Sequence, residues 1–198
     1  FHVLNLLKME FTEYKISAAE FDIVLSDDDS YDEIVGIESN PRDFNEVLIA
    51  HEFHGVSLWN ISKHQRLKRF VTPKEILSRG CRYSTISERG SFSGQQRPSI
   101  ASISWHPCGN DHFVVGFANG SLVIYDSSHK TSGKIQEMHY DEITMPTRLT
   151  SVQWLADMKG AKGPGHLIVS GGHETCGVTI LYRNPLYKKS HGASDWIV

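Results

Sequence analysis

The sequence predicts an all-β repeat fold, and three observations carry that expectation. Short apolar segments recur in threes along the chain, tight-turn residues separate them, and two of the triplets share one internal spacing. The first triplet occupies residues 34–41, 47–50 and 56–60; the second occupies 100–107, 113–116 and 122–126. From Ile37 to Trp59 is 22 positions, and from Ile103 to Tyr125 is again 22. A third, stretched copy runs through residues 149–154, 167–170 and 178–182.

Each element follows from its local pattern. Residues 1–30 read as the end of a preceding unit, with the last strands of that unit within residues 1 to about 25. In the first strand of each triplet apolar residues alternate (Ile34 and Ile37; Ile100 and Ile103; Leu149 and Val152), as a half-buried strand requires. The second strand is a near-continuous apolar run, which fits burial on both faces. His54-Gly55 and Asn119-Gly120 precede the third strands, and Asn-Gly between apolar runs predicts a hairpin in which both residues tolerate positive φ. A fourth, charged edge strand is expected at residues 65–71 and 134–138, where charge discourages foreign pairing.

Four strands per unit, with third strands ending Leu58-Trp59-Asn60 and Ile124-Tyr125-Asp126, describe a WD-type β-propeller blade. The expectation is about three four-stranded blades of a larger, seven-bladed propeller, the chain being a fragment of it. Blades fall at residues 31–77, 100–140 and 147–184, and residues 185–198 begin the next element. The copies are 66 and then 49 residues apart, against about 40 to 45 for such repeats, and the excess sits in loops. Residues 78–99 form a Ser/Gly/Arg-rich inter-blade insertion, and residues 156–165 lengthen the first hairpin of the third copy. A closed ring needs about four to eight blades, so this segment alone is not expected to unfold cooperatively.

Composition agrees with a packed domain. Hydrophobic residues make up 39% and charged residues 22%, enough to build a core. A formal net charge of -3 gives no basic field for nucleic acid. No apolar run reaches the roughly 18 to 20 residues of a membrane span. The start at Phe1-His2-Val3 reads as a chain cut from a longer one. Cys81, Cys108 and Cys176 are odd in number and widely spaced, which suits reduced thiols in the cytosol rather than a disulfide framework.

The order of these pieces resembles one family. Residues 46–50 close on Leu58-Trp59-Asn60; Ile103-Ser104-Trp105 follows, with Asn119-Gly120-Ser121. Residues 149–154, ending in Trp154, then precede a hydrophilic insertion and an apolar strand ending Ser170-Gly171-Gly172. Over residues 30–184 this resembles the amino-terminal propeller of the lethal giant larvae and tomosyn (syntaxin-binding) family. The chain departs from that pattern at Phe117-Ala118-Asn119-Gly120-Ser121, where the family often has His-Ser-Asp-Gly-Ser, and at His54, where it has Gly. The resemblance implies a non-catalytic cytoplasmic scaffold, peripheral at the plasma membrane or cell cortex. It implies binding to SNAREs of the syntaxin type, and to myosin II or Rab-type GTPases, in polarised exocytosis and cell polarity. The alternative is a WD-repeat adaptor of a ubiquitin-ligase or chromatin complex.

No constellation of residues predicts catalysis, a cofactor or a metal. Gly90-Ser91-Phe92-Ser93-Gly94 places Phe where a nucleophile elbow needs Ser, and the glycines at 160–165 lack the Gly-Lys-Ser/Thr ending of a phosphate loop. His51 with His54, and His106 with Cys108 and His112, lack the paired spacing of zinc ligands. The acidic run 26–33 fails as a calcium loop because Asp32 stands where Gly is needed. Modification is the remaining chemistry. Ser26 precedes acidic residues, and Ser84 and Ser91 lie near Arg82 and Arg89, so these three are the candidate phosphorylation sites. Trp59, Trp105 and Trp154 fall at strand ends in register with the repeat, where they are expected to wedge between blades.

Overall fold

Runs rich in Val, Ile, Phe and Trp, broken by Gly, Asn and Pro, leave the backbone little choice but strands and tight turns. The computed structural model describes residues 2–5, 8–13, 33–79, 98–107, 111–127, 140–144, 149–155, 166–171, 177–183 and 196–197. Strands β1 (His2–Asn5) and β2 (Glu10–Glu13) pair as an antiparallel hairpin. Strands β3 (Ile34–Ser39), β4 (Glu46–His51), β5 (Gly55–Asn60) and β6 (Gln65–Phe70) then form a four-stranded antiparallel meander. A short helix α1 (Lys74–Arg79) leads away from it.

The second sheet repeats the order with β7 (Ile100–Trp105), β8 (His112–Phe117), β9 (Ser121–Asp126) and β10 (Tyr140–Thr144). The third comprises β11 (Leu149–Leu155), β12 (His166–Gly171), β13 (Gly177–Arg183) and β14 (Trp196–Ile197). Strand β3 packs on β7, and β7 on β11, so the first strands lie side by side and the sheets fan outward from them. That is blade geometry, and the chain is an all-β propeller segment.

One feature recurs in all three sheets. The first strand bulges against the second between Ile34 and Gly36, between Ile100 and Ser102, and between Leu149 and Ser151. An extra residue at the same place in each pair sharpens the local twist of the innermost ladder.

The core lies between sheets. Leu48, Ala50, Val56, Leu58 and Phe70 of the first sheet meet Ile100, Ile103, Trp105, Phe113 and Tyr125 of the second. Phe113 stacks on Tyr125 at 5.2 Å and meets Phe70 edge-on at 4.8 Å. Val114, Leu122 and Ile124 on the far face of the second sheet pack against Leu149, Val152 and Trp154 of the third. Burying each such side chain contributes about 1.5 to 3 kcal/mol. The close approach needs small residues opposite large ones. A methyl added at Gly36 would stand 3.0 Å from Ile103 Cγ1, and one at Gly116 would stand 3.2 Å from Val152 Cγ1.

Several local expectations need correction. Gly55 and Gly120 both take φ of 90°, but among the described non-glycine residues positive φ occurs at Met9 and His64 and not at Asn119. The hairpins use three-residue loops, and in the second the Gly120 N–H donates to the Phe117 carbonyl at 3.0 Å. A β-turn followed by one left-handed glycine therefore replaces the two-residue Asn-Gly turn. The edge strand of the second sheet is Tyr140–Thr144, while residues 134–138 lie outside the described residues. Tyr, Ile and Thr favour an extended, pleated backbone more than the Lys-Ile-Gln-Glu-Met stretch does. At the other end of the chain, β14 falls within residues 185–198 and pairs with β13 of the third sheet. Ile34 and Ile37 are 45% and 47% exposed, whereas their counterparts Ile100 and Ile103 are at most 5% exposed.

Candidate interaction surface

A propeller blade offers partners a rigid frame, and the tryptophans supply much of the rigidity here. Trp105 is 4% exposed and its Nε1 donates to the Glu38 carbonyl at 3.3 Å, which ties the second sheet to the first. Trp154 packs edge-on against His106 at 4.8 Å, and its main-chain N–H donates to Ser104 Oγ at 3.3 Å, which ties the third sheet to the second. Trp59 lies on the outer face of the first sheet with Val47, Ile49 and Ile61, and its Nε1 donates to Ser57 Oγ at 2.8 Å. All three are buried; Trp105 and Trp154 join neighbouring sheets, while the described neighbours of Trp59 all belong to its own unit.

At one end of the sheets, main-chain bonds stitch the turns together. The Glu52 N–H donates to the Glu33 carbonyl at 2.9 Å, the Ile100 N–H to the Glu52 carbonyl at 2.7 Å, and the Ala118 N–H to the Ser99 carbonyl at 2.9 Å. Tyr125 Oη donates to the Val71 carbonyl at 3.1 Å, which fixes the connection leading to α1. The inter-blade insertion leaves from this end. Of it, Ser78 and Arg79 finish α1, and Ser78 Oγ donates to the Glu75 carbonyl at 2.8 Å.

The opposite end carries the β3–β4 and β5–β6 loops. Asn60 Oδ1 accepts the Lys63 N–H at 2.9 Å and the Ser62 hydroxyl at 2.8 Å, so the residue closing the Leu58-Trp59-Asn60 motif caps its own turn. The Ile61 N–H donates to the Asn45 carbonyl at 2.7 Å and joins the two loops. Phe44, at the tip of the first loop, is 77% exposed, while Phe70, Phe113 and Phe117 are at most 1% exposed. Sequence reasoning missed this residue. The signal was there in the repeat: aligning Pro41 with Pro107 puts Phe44 opposite Asn110, an ordinary turn residue.

Among the described residues, two side chains have displaced acidities. The Glu38 carboxyl is pushed up by burial, against a smaller lowering by the Trp105 main-chain N–H. The Lys68 ammonium is pushed down by burial, partly offset by the nearby Asp126 charge, and its Nζ lies 4.9 Å over the Phe70 ring.

The candidate modification sites Ser26, Ser84 and Ser91 lie outside the described residues, as do Cys81, Cys108 and Cys176. His51 and His54 sit at the β4–β5 turn, the first buried and the second half-buried. His106 is buried against Trp154, and His112 is exposed at the start of β8. Among the described residues no three His, Cys, Asp or Glu side chains converge as metal ligands. Among them, too, no helix is long and apolar enough to cross a membrane.

No protein-family model and no curated protein matches the chain. Among solved structures it is similar to Sqt1 of Saccharomyces cerevisiae, with 15% identity and a TM-score of 0.52 over 86% of this chain and 37% of that one. It is also similar to the β-propeller domain of Cps50 (Swd1) of Myceliophteria thermophila, with 7% identity and a TM-score of 0.49 over 83% of this chain and 38% of that one. The chain spans less than two fifths of the length of either. At these identities the likeness is one of fold. With the strand order and the fan of first strands, the likeness to Sqt1 makes the chain a segment of a β-propeller.

Proposed function

We propose that the chain is the blade segment of a non-catalytic scaffold that binds SNAREs of the syntaxin type in polarised exocytosis and cell polarity. Myosin II and Rab-type GTPases are further partners under this reading. The protein then works in the cytoplasm, held peripherally at the plasma membrane or cell cortex. The supporting observation is the third sheet. Leu155 pairs directly with His166, and the second strand of this pair runs through Ser170 to Gly171, just before Gly172 in the sequence. That combination of Trp-ended strand, hydrophilic insertion and Ser-Gly-Gly ending carries the resemblance to the lethal giant larvae and tomosyn family.

A pull-down with the full-length protein tests the proposal. Retention of a purified syntaxin-type SNARE is the expected result. Capture of ubiquitin-ligase or chromatin subunits alone would overturn it in favour of an adaptor.

A further inference from the structure

The face of the first sheet turned away from the second is closed on its outer strands and open on its inner one. Val47, Ile49 and Trp59 are buried there, yet Ile37, directly opposite Ile49 on β3, stands half in solvent, as does Ile34. The residues at the same register in β7 and β11 are buried: Ile100 and Ile103 against the first sheet, Leu149 and Val152 against the second.

Two contacts recur where one described sheet meets the next. A branched side chain of the later sheet lies over a cross-strand pair that contains a glycine. Ile103 lies over Gly36 and Ala50, and Val152 over Ser102 and Gly116. A methyl on the glycine would come within 3.0 Å of Ile103 or 3.2 Å of Val152, inside ordinary contact distance. Two residues further along the same strands, the later sheet donates a hydrogen bond to the earlier one. Trp105 Nε1 donates to the Glu38 carbonyl at 3.3 Å, and the Trp154 main-chain N–H donates to Ser104 Oγ at 3.3 Å.

The first sheet presents the same two groups outward. Ile37 has the register of Ile103 and Val152, and Ser39 that of Trp105 and Trp154. The Asn40 N–H bonds across to the Glu46 carbonyl, so alternation along the strand turns the Ser39 N–H away from β4. With serine in place of tryptophan, this main-chain donor is the group left to make the second contact.

The described sheets do not supply the cover. The glycine-bearing pairs of the first and second sheets already face Ile103 and Val152. The corresponding pair of the third sheet is Ser151–Ser170, with a side chain on both strands. A second copy stacked head to tail would therefore set Ile37 against a Cβ at the separation that glycine relieves in the other two junctions.

We infer that the Ile34–Ile37 face of β3 is a docking surface for the inner strand pair of a further blade. That pair presents a glycine opposite Ile37 and, two residues along its first strand, an acceptor for the Ser39 N–H. In both described junctions the covering sheet belongs to the same chain, so the occupant is assigned to the same polypeptide. The inference is independent of the proposed exocytic role.

Two measurements on the full-length protein test it. In an I37C variant, alkylation of the new thiol is followed by mass spectrometry of its peptide and compared with F44C, whose position is exposed. The I37C thiol is expected to react about 30-fold or more slowly, and a smaller slowing would overturn the inference. A structure of the unmodified full-length protein identifies the cover, and decides the matter even where a variant folds poorly. A strand pair of the same chain, with a glycine against Ile37 and an acceptor within about 3.5 Å of the Ser39 nitrogen, is the expected result. A second copy, a separate protein, solvent, or a strand pair without that glycine over β3 would overturn it.

Discussion

Gly55 is the position where a single methyl group should do most damage. It takes φ of 90° at the end of the β4–β5 turn, a conformation that costs a side-chain-bearing residue about 1 to 2 kcal/mol. A methyl placed there would also overlap the carbonyl oxygen of Phe70, an atom of the β6 backbone held in register by Val56 opposite. Relief requires the edge strand to move off the sheet, and overpacking of that kind costs about 1 to 3 kcal/mol. Gly55→Ala is therefore expected to destabilise the protein by about 3 kcal/mol. Gly120 shares the same φ of 90° and serves as the control, with an expected loss of about 1 to 2 kcal/mol for Gly120→Ala. Urea denaturation of the full-length protein, followed by its tryptophan fluorescence, measures both variants. A loss below about 0.5 kcal/mol for Gly55→Ala would refute the reasoning. Equal losses for the two variants would show that the Phe70 oxygen adds nothing.

Other perturbations test different parts of the frame. Trp154→Ala removes the ring between His106 and the third sheet and should cost about 3 to 5 kcal/mol, read from the same denaturation curves. Asn60→Ala should cost about 1 kcal/mol by leaving the Lys63 N–H uncapped, whereas Asn60→Asp, which keeps an acceptor, should cost less. Glu38→Gln tests the buried carboxyl. Because burial raises its pKa, the folded protein holds that proton more tightly than the unfolded chain does. The stabilising contribution of protonated Glu38 is full below its ordinary value of 4.5 and is lost as pH rises through the raised value. Glu38→Gln should accordingly raise the melting temperature at pH 7, with the gain vanishing toward pH 4; a gain that grows on acidification would contradict the assignment.

How much of this was legible in the residues depends on which force places each element. The second strands could be read directly, because Val47 to Ala50 and Phe113 to Val115 are buried on both faces and burial writes itself as an apolar run. Trp105 and Trp154, which join neighbouring sheets, were legible for the same reason. The tenth strand was not, since an edge strand has one partner and no continuous apolar demand, so its pattern is weak. The exposure of Ile34 and Ile37 depends on what lies against the first sheet rather than on their own strand. The three repeated bulges do mark the pattern: Ile100 and Ile103, like Leu149 and Val152, stand three apart, an odd spacing that reaches one face only across a bulge. Phe44 escaped notice because a periodicity argument treats loops as blanks. The candidate surface is thus the part least encoded in the repeat, as expected where function departs from fold.

The glycine contacts between sheets have a consequence for exchange of modules. Ile103 drops onto the Gly36–Ala50 rung of the first sheet, while Val152 drops onto the Ser102–Gly116 rung of the second. Each knob seats on the glycine of its rung, but that glycine lies on the first strand in one sheet (Gly36) and on the second strand in the other (Gly116). A tandem duplication of the second unit would set Ile103 over the Ser102–Gly116 rung, where the first strand carries a side chain in place of the Gly36 that Ile103 approaches to 3.0 Å. Each junction is thus a lock cut for one key. Although the units look interchangeable as patterns, their order around the ring is written into the smallest residues they contain.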